Sequence, residues 1–92
     1  TGAVWAIDLT TAVIGGQRYA VWSGWERSAA THVTPQHTYI ARMSDPWTIA
    51  SNRVRISSPV EPWERGTRLD LQEGQEVLQR GDDTFIVYST RE

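Results

Sequence analysis

Two carboxylates, Asp8 and Glu73, open two similar segments of the chain. The first segment reads DLTTAVIGGQRYAVWSGWE and the second reads EGQEVLQRGDDTFIVYSTRE, and the alignment that superposes the acids places one extra residue in the second turn. Two convergent carboxylates beside aromatic side chains are typical of glycoside hydrolysis, where one acid must stay protonated to assist the leaving group. The alternative for each acid is a solvated residue or one that hydrogen-bonds a turn.

Aromatic residues flank the first acid. Trp5 precedes Asp8 by three positions, and Trp25 closes the first segment. Tryptophan combines a large flat face with a polar edge, so we expect Trp5 and Trp25 to stack on a sugar ring and act as substrate-binding residues. Packing between strands is the expectation for the other three tryptophans, Trp22, Trp47 and Trp63.

Composition excludes several classes of function. The chain has 92 residues, a net charge of −2 and no cysteine, so it offers no basic surface for nucleic acid, no disulfide framework and no thiol nucleophile. It has no run of about 18 apolar residues that would cross a membrane. His32 and His37 have no third ligand at a typical spacing, so neither a metal site nor a cofactor is expected.

Short strands separated by turns account for the whole pattern. Residues 10–14 and 17–23 form a hairpin around Gly15 and Gly16, a pair suited to a turn that needs positive φ. Third and fourth strands are expected at 37–43 and 53–57, with Val54 and Ile56 facing inward. Residues 76–79 and 84–89 form a second hairpin.

Four antiparallel strands followed by a repeat of the first two predict an all-β fold, a fragment of a β-propeller. A repeat of roughly 65 residues is in the range of stacked supersecondary units. We expect one blade at about 8–57, an inter-blade connection at 58–72 and the first hairpin of the next blade at 73–92. Residues 1–92 then form a single partial domain of a longer polypeptide. A sandwich or open barrel would also use short strands but would not need the repeat.

The repeat places the acids relative to each other. In an antiparallel hairpin the end of the second strand lies beside the start of the first, so Trp25 and Glu26 are expected on the same rim as Asp8. If each innermost strand begins near the propeller axis, Asp8 and Glu73 face one central cavity.

The chain resembles glycoside hydrolase family 43 in the segments WAIDLTTAVIGGQRYAVWSGWE, YIARMSDPWTI, RVRISSPVEPWE and LQEGQEVLQRGDDTFIVYS. The resemblance implies a five-bladed β-propeller that hydrolyses arabinose- or xylose-containing polysaccharides with inversion, and it suggests secretion. The expected partner is a carbohydrate of the arabinan, arabinoxylan or xylan type, with neither nucleic acid nor membrane involved.

Roles for the two acids follow from this resemblance. Glu73 matches the general acid that protonates the departing glycosidic oxygen, and Asp8 matches the carboxylate that orients this acid and modulates its protonation. The family's general base, an Asp of the first blade, has no match here, so the 92-residue segment alone is expected to be inactive. Gln75 stands where the family usually has Pro, and Glu76 is a less favoured substitute for Glu73.

A second hypothesis is a non-catalytic module that binds carbohydrate or associates with copies of itself. Open strand edges make self-association through blade edges physically reasonable. Sizing the purified chain would separate a 10.4 kDa species from an oligomer.

Overall fold

The computed structural model describes residues 4–27, 34–66 and 69–90. They form two antiparallel sheets and one 3₁₀ turn, Pro62–Glu64. The first sheet has the order β1-β2-β3-β4, with β5 also paired to β3, and the second contains β6 and β7. The strands are β1 Ala6–Ile14, β2 Gln17–Gly24, β3 His37–Asp45, β4 Thr48–Ile49, β5 Val54–Ser57, β6 Gln72–Arg80 and β7 Asp83–Thr90. No helix among these residues is long and apolar enough to span a membrane.

The two hairpins have turns of equal length. Ile14 pairs with Gln17 across a Gly15-Gly16 turn in which both φ angles are positive, 58° and 82°. Only glycine adopts two such angles in succession without steric cost, which explains the sharp turn. Arg80 pairs with Asp83 in the second hairpin, also across two residues. The prediction of one extra residue in the second turn is therefore wrong.

Each innermost strand carries a β-bulge near its start. The register shifts between Ile7 and Thr10 in β1 and between Glu73 and Glu76 in β6. Ile7 faces Ser23 and Glu73 faces Ser89, so Glu73 corresponds to Ile7 in the repeat and Asp8 corresponds to Gly74. The prediction that the two acids occupy equivalent points is wrong by one position, because it matched acid to acid rather than bulge to bulge.

Strands β1 and β6 lie side by side and point the same way. Three hydrogen bonds join them: Gly74 N donates to Asp8 Oδ2 at 2.9 Å, Thr10 Oγ1 to Glu76 Oε1 at 3.4 Å, and Gln79 Nε2 to the Val13 carbonyl at 3.0 Å. In each case the two residues are 66 positions apart. Corresponding points of the repeated units are thus neighbours, which is how successive units about a common axis contact each other.

The small core lies on β2 and β3. Its members are Ala20, Trp22, Tyr39, Ala41 and Met43, so the packing role predicted for Trp22 is confirmed.

Four residues predicted to pack are instead exposed. Trp47 is 82% exposed in a tight turn and Trp63 is 56% exposed in the 3₁₀ turn, where short connections leave no neighbouring layer. Val54 and Ile56 are 56% and 44% exposed. The predicted fourth strand is confirmed as β5, and the two-residue β4 precedes it. Among the described strands β5 pairs with β3 alone, so it is an edge strand of the first sheet and its side chains have a strand neighbour on one side only.

The second hairpin has an open apolar face. Leu78, Phe85 and Val87 are each at least half exposed, and β7 pairs with β6 alone among the described strands. A two-stranded sheet of this kind is marginal by itself and needs a further strand or layer. The boundaries predicted for the blade, connection and second hairpin stay predictions.

Candidate active site

Asp8 has an unusual backbone conformation. Its φ of 58° is the one positive value at a non-glycine residue in the described chain. The left-handed region costs an ordinary L-residue about 1–2 kcal/mol, although Asp and Asn tolerate it better than most. Gly74, the corresponding residue of β6, has a φ of 64°. The bulge geometry thus suits glycine, yet β1 has a carboxylate-bearing residue at this point.

The side chain of Asp8 is held against the backbone next to Glu73. Asp8 Oδ2 accepts the hydrogen bond from Gly74 N at 2.9 Å, so the two bulges are joined directly. The side chain of Glu73 is half-buried, whereas that of Asp8 is exposed. The structure therefore brings the two predicted catalytic acids into adjacent bulges, with the Asp8 carboxylate one residue beyond Glu73 along β6.

A cleft of about 480 Å³ lies beside Asp8. Glu73 does not line it, so it is not the shared cavity that the sequence predicted. The lining is largely apolar, and a surface of this kind suits packing against another sheet better than binding of a hydroxyl-rich sugar. Its lining residues are Val4, Ala6, Ile7, Asp8, Leu9, Trp22, Ile49 and Arg53.

Trp5 and Trp25 stack on each other. Their ring centroids are 5.0 Å apart with planes inclined by 27°, and Trp25 N donates to the Trp5 carbonyl at 3.1 Å. The predicted proximity of the end of β2 to the start of β1 is therefore correct. Because Trp25 is the more buried member, Trp5, which is 36% exposed, presents the open face of the pair.

A charged cluster continues the same rim. Tyr39 Oη donates to Glu26 Oε1 at 2.8 Å, and Arg55 Nη1 pairs with the same oxygen at 3.3 Å. Arg53 lies over the Tyr39 ring, 4.1 Å from its centroid, and donates to the Trp25 carbonyl at 2.7 Å. The hydrogen bond from Tyr39, together with the arginines, lowers the pKa of Glu26, while burial and the bond to Glu26 raise the pKa of Tyr39 to about 12. The cluster fixes the backbone that carries Trp25.

A buried polar network lies beneath the start of β6. Gln72 is fully buried; its side-chain oxygen accepts from Thr38 Oγ1 at 2.8 Å, and its nitrogen donates to Glu64 Oε2 at 2.6 Å and to Ser57 Oγ at 2.9 Å. Tyr88 Oη also donates to Glu64 Oε2, at 2.9 Å. The network joins both sheets to the 3₁₀ turn and leads directly to Glu73.

Glu64 is a charged group in this network and only 2% of it is exposed. Burial disfavours its ionised form, but hydrogen bonds from Gln72, Tyr88 and backbone N–H groups outweigh that effect and hold the pKa of Glu64 below its ordinary value. A carboxylate whose pKa is lower in the folded state stabilises the fold above its unfolded pKa, and this contribution is lost as pH falls through the folded pKa.

We expect the stability of the full-length protein to fall as the pH is lowered below about 4.5, the ordinary pKa of this carboxyl. Glu64→Gln should lower stability at pH 7 by about 1–3 kcal/mol, because it replaces a buried carboxylate that accepts three hydrogen bonds. It should also flatten the acidic part of the profile of stability against pH. Thermal unfolding between pH 3 and pH 7 measures both. Glu76→Gln, at an exposed position, is the control. If stability changed equally with pH in the wild-type protein and in both variants, the pH dependence could not be assigned to Glu64.

The described residues contain no group of three or more His, Asp or Glu side chains that could hold a metal ion. His32 lies outside the described residues. The Nδ1 atom of His37 is 3.0 Å from Ser58 Oγ, which gives this imidazole a hydrogen-bonding role in the fold.

Comparison with known proteins identifies the family. The family model "Glycosyl hydrolases family 43" matches residues 1–92, the whole chain. The chain belongs to glycosyl hydrolase family 43. The resemblance seen in the sequence is thereby confirmed.

Curated proteins similar to this chain carry arabinofuranosidase names. An extracellular exo-alpha-(1->5)-L-arabinofuranosidase of Streptomyces avermitilis is 34% identical over 84 residues, and alpha-L-arabinofuranosidase 43 of Humicola insolens is 36% identical over 84. Each alignment covers 91% of this chain but 17% of the relative. This chain thus spans about a sixth of the length of each of these two relatives.

A solved structure confirms the fold class. The crystal structure of alpha-L-arabinofuranosidase from Lactobacillus brevis superposes with a TM-score of 0.78 at 29% identity, covering 94% of this chain and 25% of that one. The chain is therefore an all-β, antiparallel fragment of a propeller-type family 43 fold, as predicted.

Sequence reasoning missed the residues that support Glu73. Gln72, Gln75 and Thr38 are polar residues in strands, where solvent exposure is the usual expectation, yet each is almost fully buried. Two glutamines three apart around Glu73 were the available signal, and a single sequence does not show which polar residues of a strand face inward.

Proposed function

We propose that this chain is the part of an inverting glycoside hydrolase that carries the general acid, Glu73, and its modulator, Asp8. The observation that supports this most is the pairing of the two bulges, in which Asp8 adopts a strained conformation and accepts from Gly74, the residue that follows Glu73. Such strain is retained where the surrounding structure and function require it.

Each residue has a distinct task in this proposal. Glu73 donates its proton to the glycosidic oxygen as the bond to the anomeric carbon breaks. Asp8 acts as the modulator of this acid, since its carboxylate accepts the hydrogen bond from Gly74 N and so orients the backbone that carries Glu73. The general base that activates water must stand about 6.5–9.5 Å from the acid, across the sugar ring, and we assign it to a part of the protein outside residues 1–92.

The substrate we propose is an arabinose-containing polysaccharide. The relatives described above carry arabinofuranosidase names, and their alignments cover 91% of this chain. We assign the exposed face of Trp5, backed by Trp25, to stacking on a sugar ring. Because one relative is described as extracellular, we also propose that the full-length protein is secreted, which its detection in culture medium would test.

The test is hydrolysis by the full-length protein, followed by proton NMR of the first-formed sugar. We expect release of arabinose from arabino-oligosaccharides and aryl α-L-arabinofuranosides, with the opposite anomer appearing before mutarotation. Aryl β-D-xylosides serve as the competing substrate. Release of the retained anomer would contradict the inverting chemistry, and preference for the xyloside would contradict the substrate assignment.

A further inference from the structure

The proposed chemistry uses none of the buried polar side chains that surround Glu73. Gln72 is 0% exposed, Gln75 is 1% exposed and Thr38 is 1% exposed. They are joined to one another by hydrogen bonds and come from strands of both sheets. A buried set of this kind holds one arrangement of the backbone when its bonds are made.

Every polar atom of Gln72 makes a hydrogen bond. Its N–H donates to the Gln36 carbonyl at 3.1 Å, and its carbonyl accepts from Ser23 Oγ at 2.6 Å. Its side chain is bonded to Thr38 and to the buried Glu64. The residue just before Glu73 therefore has very little freedom to move.

Gln75 holds the chain on the other side of Glu73. Its Nε2 donates to Thr38 Oγ1 at 2.9 Å and returns to the Gln72 carbonyl at 3.1 Å, across the two intervening residues. Gly74 N is bonded to Asp8 within the same short stretch. Glu73 thus projects from a backbone segment that is fixed both before and after it.

The cost of Gln75 argues against a purely structural role. Its Oε1 is buried and has no hydrogen-bond partner among the described residues. A buried acceptor without a partner destabilises a fold, and an apolar side chain of similar size would avoid this penalty. The amide nitrogen must therefore supply something that an apolar residue cannot.

We propose that Gln75 and Thr38 are positioning residues that hold the Glu73 carboxyl in place to protonate the leaving group. The inference rests on the proposed function, in which Glu73 is the general acid. Gln75 acts by closing the segment 72–75 on itself, and Thr38 acts by linking both glutamine amides. A misplaced acid loses rate in the step that needs its proton, while the binding of the sugar is unaffected.

The experiment compares two substrates in the full-length protein. Cleavage of an arabino-oligosaccharide requires proton donation to a poor leaving group, whereas 4-nitrophenyl α-L-arabinofuranoside releases a stabilised anion that needs little assistance. We expect Gln75→Leu to lower kcat on the oligosaccharide by about 10- to 100-fold, with KM nearly unchanged, and to lower kcat on the aryl substrate about three-fold or less. Thr38→Val should show the same split.

Gln79→Leu is the matched control, because Gln79 lies on the same strand, donates to the Val13 carbonyl and is exposed. Gln79→Leu should change kcat on the oligosaccharide and kcat on the aryl substrate by the same small factor. Equal losses on both substrates in Gln75→Leu and Thr38→Val, or no difference from Gln79→Leu, would overturn the inference. Glu73→Gln, measured in the same way, distinguishes failure of the proposed function from failure of the positioning role. If Glu73→Gln keeps full activity on the oligosaccharide, the proposed function is wrong. If Glu73→Gln alone loses activity selectively on the oligosaccharide, only the positioning role is wrong.

Discussion

Replacing Glu73 with Gln in the full-length protein is expected to lower kcat on arabino-oligosaccharides by about 10²–10⁴-fold, the usual contribution of a positioned general acid. The amide keeps the shape of the side chain but has no proton of suitable acidity to give. The half-buried side chain lies outside the Gln72 network, so the thermal midpoint should stay close to that of the wild-type protein.

Glu76→Gln is the matched control for Glu73. Glu76 closes the same bulge, is exposed, and accepts a long hydrogen bond of 3.4 Å from Thr10. Glu76→Gln should keep kcat within about two-fold of the wild-type value, since a weak exposed contact contributes little to stability. A large loss for Glu76→Gln with none for Glu73→Gln would move the acid to Glu76.

The second large effect is expected at Asp8. Asp8→Asn preserves the left-handed backbone and an acceptor for Gly74 N but removes the charge, so we expect kcat to fall by about 10²-fold with stability within about 1 kcal/mol of wild type. Steady-state kinetics and thermal unfolding of the same preparations provide both numbers.

Asp8→Gly separates strain from charge at this position. Glycine relieves the part of the left-handed backbone cost that Asp bears, up to about 1 kcal/mol, and loses one hydrogen bond worth about 1 kcal/mol. The fold should therefore be nearly as stable as before while activity stays low. Normal activity in either Asp8 variant would show that the carboxylate has only a structural role.

The architecture could be predicted from the sequence because its signals are local. Two glycines at Gly15 and Gly16 determine a turn, and alternation in 17–23 determines a strand that pairs across it. Repetition of the pattern then indicated stacked units. The register of that repeat could not be predicted, because a bulge adds a residue without changing the alternating pattern on either side, and matching Asp8 to Glu73 was the simpler alignment.

Burial was the weaker part of the prediction. Trp47 and Trp63 were expected to pack because they are large and apolar, yet each lies in a turn with no described layer over it. Gln72 and Gln75 are buried because the start of β6 packs against β2 and β3 of the first sheet, a contact between residues far apart in the sequence. Such contacts form only in the assembled fold. The residues that surround Glu73 are positioned by these contacts, so they could not be predicted from the sequence.

The most direct test of the role of Glu73 is the dependence of rate on the leaving group, measured for the wild-type protein and Glu73→Gln. Aryl α-L-arabinofuranosides with phenols of increasing acidity would be compared with the oligosaccharide. Loss of the acid should leave the most acidic phenol cleaved at a rate close to wild type, with the deficit growing steadily to about 10²–10⁴-fold for the oligosaccharide. A deficit of the same size on every substrate would contradict the assignment of Glu73 as the general acid.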